Sequence, residues 1–279
     1  MKSETLDQGR LVVAAEFLPL LQANGLDSFE KIMALAGGTA ARDFPGRRTT
    51  RFALKRPDGT SQGIYLKRYE RNYLPFWRRL LRLLCWPGAE DEANREWRML
   101  QQVSAAGLHT AQPIAAGQDR AGGKCARSFL MTAEIESAVE GHVYAETLSA
   151  AQRRRFLSGV AEMARCFHRA GFVHKDFYVG HVLVTPGADG PELFLIDLQR
   201  VMKPCCLRDR WITKDLGAMA YSLFNAGATY TDLLRVFLAY GGLEKVGEAE
   251  KRTIRKIMRR VFALRRRQPK HGGPVRQRL

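Results

Sequence analysis

The pattern of apolar and polar positions changes twice along the chain. Residues 11–36 carry apolar positions at helical spacing, which predicts an N-terminal helical stretch. Between Thr39 and Lys67, short segments rich in threonine, aromatic and branched residues alternate with the turn signals FPGRR and RPDGTSQG. This alternation predicts three antiparallel strands, of which GIYLKRY is the third. Residues 90–106 then predict a helix, and SFLMTAEI at 128–135 predicts a buried strand that leaves a small lobe.

From residue 150 onward the pattern is mainly helical. The spacing in AAQRRRFLSGVAEMARCFHRAG predicts a long helix that ends at Gly171. After FVHKD, the segments HVLVTP and ELFLIDL, joined by the turn GADG, predict an antiparallel hairpin. The fold class expected is therefore α+β with two lobes. We predict an N-terminal extension and β-rich lobe over 1–132, and a mainly helical lobe over 133–279.

Composition restricts the partners more than the fold. The chain has 279 residues, is 46% hydrophobic and carries a net charge of +17, which favours polyanions such as nucleic acid, anionic lipid or phosphorylated glycan. Its aromatic residues do not interleave with basic ones in a nucleic-acid motif, so nucleic acid is not expected. The five scattered cysteines suggest a reducing, cytosolic compartment. No signal peptide or apolar run of membrane-spanning length occurs, so any membrane contact is expected to be peripheral.

Two aspartates flank the predicted hairpin. Asp176 precedes its first strand and Asp197 ends its second, and antiparallel pairing should bring the two ends side by side. A pair of carboxylates held in this way suits phosphoryl transfer. One orients and deprotonates the attacking hydroxyl, while the other holds Mg²⁺ that bridges the phosphates of a nucleotide.

The same chemistry needs a lysine for the phosphates and an acid to orient that lysine. Lys67 ends the third strand, and Glu96 lies in the following helix. Glu92 is the alternative acid one turn earlier; Glu96 is preferred because Trp97 and Leu100 follow it at core-like spacing. Lysine, glutamate and the two aspartates then follow one another in the order found in kinases.

These residues carry a family resemblance. The segments concerned are RRTTRF at 47–52, YLKRY at 65–69, REWRML at 95–100, HKDFYVGHVLV at 174–184, LFLIDLQR at 193–200 and RWITKDLGAMAYS at 210–222. Over about residues 38–242 they resemble the bacterial lipopolysaccharide core kinases, in particular the heptose kinase branch of the Kdo/heptose kinase family. The resemblance implies a protein-kinase-like fold, ATP and Mg²⁺ as cofactors, and phosphorylation of a heptose hydroxyl of the lipopolysaccharide inner core.

Within that family a histidine at the position of His181 is usual, where protein kinases carry a metal-binding asparagine. His181 is therefore a candidate metal ligand beside Asp197. Mg²⁺ prefers oxygen donors, so the alternatives are a hydrogen bond to Asp176 or to phosphate, or simple packing. His174 is expected to brace the loop, and Asp215 to accept hydrogen bonds from its backbone.

The nucleotide site departs from the protein-kinase pattern. No glycine-rich phosphate loop is present, and Arg47 or Arg48 is the candidate to replace it with a side-chain charge; the alternative is a solvated basic turn. The order of the chain places Thr132, Ala133, Glu134 and Ile135 where the backbone of a kinase meets adenine. Leu198 and Gln199 follow Asp197 in place of Phe-Gly, so we expect a constitutive enzyme without a regulated switch.

The expected protein is thus an ATP-dependent sugar kinase, cytoplasmic and peripheral on the inner membrane, that acts on a lipopolysaccharide core intermediate. A Kdo kinase of the same family is the closest alternative. A catalytically silent scaffold that binds membrane through its basic surface is the alternative from another class. ATP hydrolysis or transfer distinguishes the enzyme from the scaffold.

The stretch NYLPFWRRLLRLLCW at 72–86 predicts an interfacial helix whose stripe of Arg78, Arg79 and Arg82 contacts anionic lipid. A core helix with a cationic solvent face is the alternative, and the tail over 251–279, with 12 Lys or Arg and no acid, is a second basic candidate.

We expect replacement of all three stripe arginines by serine to weaken binding to phosphatidylglycerol vesicles about a hundredfold at low salt, because each basic residue near such a surface contributes about 1 kcal/mol. Co-sedimentation measures this effect. Wild-type binding should fall at high salt through screening, and equal binding by both proteins at low salt would instead point to the basic tail.

Overall fold

The computed structural model describes residues 2–70, 92–121, 124–187 and 190–266. The chain forms two compact units, Met1–Glu136 and Ser137–Leu279; the boundary expected at 132/133 stays a prediction. Arg78, Arg79 and Arg82, together with the basic residues after 266, lie outside the described residues. Within the described ranges, no helix is long and apolar enough to cross a membrane.

The first unit is built on an antiparallel sheet. In chain order its elements are β1 (Ser3–Leu6), β2 (Leu11–Ala14), α1 (Leu18–Ala23), α2 (Phe29–Met33), β3 (Thr39–Phe44), β4 (Arg47–Lys55), β5 (Ser61–Glu70), α3 (Glu92–Ala105), β6 (Pro113–Ala121) and β7 (Lys124–Ala133). The strands lie in the order β1-β2-β6-β7-β5-β4-β3. The three strands predicted between Thr39 and Lys67, the helix over 90–106 and the strand over 128–135 are confirmed as β3 to β5, α3 and β7.

The helical prediction for residues 11–36 is wrong at its start. Leu11–Ala14 is a strand that pairs with both β1 and β6, and only the short helices α1 and α2 follow. An apolar run of four residues carries too little periodicity to distinguish a buried strand from a helix. Pro19 in the first turn of α1 and Gly25, at a φ of 66°, then confine that helix to less than two turns.

Alternation along β5 decides which side chains enter the core. Ile64 and Leu66 are fully buried, in the same apolar cluster as Phe29 and Phe129, whose rings lie 5.6 Å apart. Lys67 therefore points to the opposite face of the sheet, since successive residues of a strand alternate. The hydrophobic core thus fixes the side on which the lysine is presented.

The second unit is mainly helical. Its elements are β8 (Val139–Glu140), α4 (Gly141–Glu146), α5 (Ala150–Arg169), β9 (Val182–Thr185), β10 (Glu192–Leu195), α6 (Arg208–Asn225), α7 (Tyr230–Gly241) and α8 (Glu248–Arg266). Ser149 and Gln152 form a capping box at the start of α5, and Gly171, at a φ of 89°, follows its end as predicted. The predicted hairpin is confirmed, because β9 and β10 pair antiparallel with Leu195 opposite Val182. The observed class, α+β with a β-rich first unit and a helical second unit, is the one expected.

The segment His174–His181, here called the 174–181 loop, is anchored to α6 through Asp215. The backbone N–H of His174 donates to Oδ2 of Asp215 at 2.6 Å, and that of Lys175 donates to Oδ1 at 2.7 Å. Asp215 is 1% exposed. Hydrogen bonds from backbone N–H groups to a charged acceptor of this kind stabilise the fold by about 1.5–3 kcal/mol each. The bracing role predicted for Asp215 is confirmed.

Two histidines support the same anchor. The Nε2 of His174 lies 3.1 Å from the carbonyl oxygen of Ile196, which ties the loop to the end of the hairpin as predicted. His168 on α5 places its Nε2 3.3 Å from Asp215 and its Nδ1 2.9 Å from the hydroxyl of Tyr240 on α7. In the neutral tautomer with hydrogen on Nε2, Tyr240 donates to His168 and His168 donates to Asp215, so every donor has an acceptor.

This chain of bonds predicts an alkaline loss of stability. Burial raises the pKa of Tyr240 from 10.0 to about 12. Between those two pH values the unfolded chain has lost a proton that the folded chain keeps, so the free energy of unfolding falls as pH rises.

Tyr240→Phe lacks this contribution and should lose less stability over that interval than the wild type in urea unfolding. Tyr230→Phe, at an exposed position on the same helix, is the matched control and should follow the wild type. Parallel curves for Tyr240→Phe and the wild type would contradict the assignment.

Candidate active site

The first unit holds a buried ion pair between β5 and α3. The Nζ of Lys67 lies 2.5 Å from Oε1 of Glu96, with the two side chains 16% and 2% exposed. The hydroxyl of Tyr69 donates to the other carboxylate oxygen at 3.1 Å. Trp97 and Leu100 on the same helix are buried, and their packing holds Glu96 in this position. The structure therefore pairs Lys67 with Glu96, as the sequence predicts in preference to Glu92.

Of the two arginines considered for the missing phosphate loop, Arg47 shares the face of Lys67. It lies opposite Tyr69 in the β4–β5 pairing, with its guanidinium carbon 5.7 Å from the ring centroid. Arg48 points to the other face, where its Nε is 3.8 Å from the carboxylate of Asp43. Geometry thus favours Arg47 as the side chain that acts together with Lys67.

The end of β7, expected to meet adenine through its backbone, has two amides already in use. The N–H of Ala133 donates to the carbonyl of Gln112 at 2.8 Å, and that of Glu134 donates to Gly63 at 2.9 Å. An adenine contact at this segment therefore falls to its carbonyl oxygens or to the N–H of Ile135.

The side chain of Glu134 is committed to Arg51. Two parallel bonds of 2.6 and 2.7 Å join the guanidinium to the carboxylate. A Cβ at residue 63 would lie 1.8 Å from the same carboxylate, so this geometry requires Gly63. Thr132 is buried and pairs with Tyr65, on the Lys67 face of the sheet. Glu134 therefore fixes the end of the strand with its side chain and leaves ligand contact to the backbone.

In the second unit, the backbone is constrained at Asp197 and at the residue that precedes Asp176. Lys175, immediately before Asp176, has a φ of 70°, and Asp197 itself has a φ of 60° and a ψ of 53°. Residues other than glycine rarely adopt this left-handed conformation, and those that do are concentrated at functional sites. The Nη1 of Arg200 lies 2.5 Å from Oδ2 of Asp176.

His181 lies between the two aspartates. Its Nδ1 is 2.8 Å from the backbone carbonyl of Asp176 and its Nε2 is 3.8 Å from Oδ2 of Asp197. The ring is 1% exposed and stacks on His174 with centroids 5.7 Å apart. A carbonyl only accepts, so Nδ1 carries hydrogen, and in neutral imidazole Nε2 presents a lone pair toward Asp197. Of the alternatives weighed for His181, the bond to Asp176 is observed, through its main chain.

The sequence analysis missed several side chains around Asp176. Arg200 bonds it directly, and the charges that act on Lys214 come from Asp176, Arg200, Asp215 and Arg260. Burial lowers the pKa of Lys214, while Asp176 opposes that shift. The sequence did mark the positions of Arg200 and Lys214. Arg200 ends the motif segment LFLIDLQR, and Lys214 lies within RWITKDLGAMAYS. Nothing in the local pattern marks Arg260.

Comparison with known proteins agrees with this geometry. The model of the lipopolysaccharide kinase (Kdo/WaaP) family matches residues 36–240. The chain is 30% identical over 241 residues to the lipopolysaccharide core heptose(I) kinase WaaP of Pseudomonas aeruginosa, which covers 83% of this chain and 86% of the relative. It is 28% identical over 228 residues to the protein of the same name from Escherichia coli, covering 78% and 83%.

Among solved structures, one titled WaaP in complex with acyl carrier protein matches with a TM-score of 0.68 and 28% identity. The match covers 91% of this chain and 99% of the other. The two-lobed, kinase-like α+β fold expected from the motifs is thereby confirmed. Because the family model spans most of the chain, this protein belongs to the lipopolysaccharide kinase (Kdo/WaaP) family.

Proposed function

We propose that this protein transfers the γ-phosphoryl group of ATP to a heptose hydroxyl of the lipopolysaccharide core. The observation that carries the proposal is the pair Asp176 and Asp197, joined through His181 on a loop that Asp215 anchors. Heptose is preferred to Kdo as the acceptor because the curated relatives carry the name heptose(I) kinase.

Asp176 is the group that orients the acceptor hydroxyl and takes its proton. Its position is set by the clamped amides of His174 and Lys175 on one side and by His181, bound to its carbonyl, on the other. Arg200 holds one carboxylate oxygen, which leaves Oδ1 to receive a hydroxyl. A base positioned in this way lowers the barrier because it is oriented before the substrate arrives.

Asp197 and His181 are the residues that would hold a metal ion. The described residues contain no group of three or more potential protein ligands, but Mg²⁺ in kinase sites is bound by one or two protein ligands together with phosphate oxygens and water. The carboxylate of Asp197 fits such a site, and the imidazole of His181, whose Nε2 lies 3.8 Å from it, would be the weaker, nitrogen donor. The chemistry that Mg²⁺ supplies is bridging and charge neutralisation of the nucleotide phosphates.

Lys67 is the residue that binds the nucleotide phosphates. Its ammonium is oriented by Glu96, and Tyr69 fixes the second oxygen of that carboxylate. Arg47, on the same face, adds a charge where protein kinases use a glycine-rich loop. The backbone from Thr132 to Ile135 receives adenine.

The acceptor is attached to lipid, so the enzyme works at the cytoplasmic face of the inner membrane as a peripheral protein. The described part of the chain supports this with α8, where Lys251, Arg252, Arg255, Lys256 and Arg259 are exposed. Such a helix is attracted to an anionic bilayer. The partners proposed are therefore a lipopolysaccharide core intermediate and the anionic membrane surface.

Asp176→Asn should lower phosphoryl transfer to core glycan by about 10²–10⁴-fold, the contribution typical of a positioned acid or base, and Asp197→Asn should lower it comparably because metal binding is weakened. Transfer of labelled phosphate from ATP measures the effect, and circular dichroism confirms that the variants fold. Glu192→Gln, an exposed carboxylate on the same hairpin, is the matched control. Near-normal transfer by folded Asp197→Asn would remove it as the metal ligand.

Glu96→Gln should lower turnover by about 10- to 100-fold, because Lys67 then loses a charge-assisted bond, and should reduce stability less. Turnover and thermal unfolding are compared with Glu92→Gln, which lies at the start of the same helix. Normal turnover by Glu96→Gln together with strongly reduced turnover by Glu92→Gln would contradict the assigned pair.

A further inference from the structure

We propose that Lys175 and Lys214, which lie against Trp211, form with Arg260 an anion-binding subsite for the acceptor glycan, and that the group recognised is a carboxylate or phosphate near the heptose hydroxyl. This inference rests on the proposed function and specifies its substrate further. Its members come from α6, from α8 and from the residue before Asp176. They are here called the anion subsite.

The position of Arg260 depends on a glycine in α6. A Cβ at Gly217 would lie 2.6 Å from Cγ and 2.9 Å from Cβ of Arg260, so the arginine stem crosses α6 where no side chain stands. Its Nε is buried and has no hydrogen-bond partner among the residues the structure describes. Leaving a buried charged donor without an acceptor costs free energy. A counter-charge bound elsewhere on the same guanidinium would offset that cost.

Lys214 is held close to like charges. The charges that act on it include Arg200 and Arg260 as well as Asp176 and Asp215. Both oxygens of Asp215 already accept bonds from the 174–181 loop, and Arg200 occupies Asp176. Across the described ranges, neither Lys214 nor Arg260 forms an ion pair of its own. Cations gathered without counter-charges of their own favour the binding of an anion.

Trp211 gives the subsite a fixed floor. The ammonium of Lys175 is 5.3 Å from the centre of its ring and that of Lys214 is 5.7 Å away. Attraction to the ring face restrains two long and otherwise mobile side chains. Trp211 precedes Lys214 by three residues on α6, so both lie on one face of the helix. The ring is half-buried and leaves apolar surface for a sugar.

The neighbouring carboxylate identifies the ligand. Tyr178 is acted on by Asp176, Arg260 and Arg200, so the subsite and Asp176 share one neighbourhood. Asp176 is the group that receives the acceptor hydroxyl. Because the nucleotide phosphates are assigned to Lys67, we assign an anion held beside Asp176 to the acceptor, and its charge would select a heptose that carries, or is linked to, an acidic group.

The test compares Arg260→Gln, which keeps the stem that crosses Gly217, with Arg154→Gln, an exposed arginine on α5. We expect Arg260→Gln and Lys214→Gln each to raise the KM for native core glycan about tenfold, the equivalent of one charged contact, while the KM for ATP stays within about twofold. Arg260→Lys should recover part of the loss. Arg154→Gln should behave as the wild type.

Two treated acceptors distinguish the sources of the anion, one stripped of phosphate by a phosphatase and one with its carboxylates reduced. Removal of the recognised group should raise the wild-type KM and abolish the difference between wild type and Arg260→Gln. The inference is overturned if Arg260→Gln and Arg154→Gln have the same acceptor KM, or if neither treatment alters the wild-type KM.

Failure of the proposed function has a different signature. A wild type that transfers phosphate to no core glycan rejects that function, and the subsite is then tested with inorganic phosphate and with acetate. Either anion is titrated into protein saturated with a non-hydrolysable ATP analogue, with tryptophan fluorescence as the readout and Trp211→Phe as background. Weaker binding by Arg260→Gln than by Arg154→Gln supports the subsite, and equal binding rejects it.

Discussion

The carboxylate of Asp215 is the interaction on which the second unit depends. Both of its oxygens accept backbone N–H groups, from His174 and Lys175, in a site that excludes water. A buried charge of this kind is tolerable only when its lone pairs are satisfied. Satisfying them draws two consecutive amides toward one side chain, and Lys175 adopts a left-handed backbone there. The direction in which Asp176 leaves the loop follows from that constraint.

The short stretch of α6 around Asp215 serves three tasks at once. Asp215 faces the loop, Lys214 faces the neighbourhood of Asp176, and Gly217 leaves room for Arg260. Successive positions on a helix point about 100° apart, so neighbouring residues can serve different surroundings. Because the tasks share one rigid element, a shift of α6 would move the loop and the cations together. This accounts physically for the compact motif WITKDLG.

The sequence predicted those features that depend on local pattern or on order. The three strands, the hairpin and Glu96 over Glu92 followed from periodicity, because a helix or strand that buries one face repeats at a fixed interval. The strand at 11–14 was missed because four apolar residues fit both periods. Arg200 stands in a motif segment, but its role was not assigned because its partner lies far along the chain: the Arg200–Asp176 contact spans 24 residues. Arg260 was missed because Gly217, against which its stem packs, lies on a different helix. Only tertiary packing brings such groups together.

The histidine at position 181 follows from the geometry of the two aspartates. In neutral imidazole one ring nitrogen donates and the other accepts, and the two point in divergent directions within one rigid plane. The two nitrogens of imidazole lie across a ring, so one can bond Asp176 while the other faces Asp197. Stacking on His174, itself bonded to Ile196, fixes the plane of that ring. His181 is therefore suited to link Asp176, the proposed base, to Asp197, the proposed metal ligand, and the structure gives a physical reason for its departure from the protein-kinase pattern.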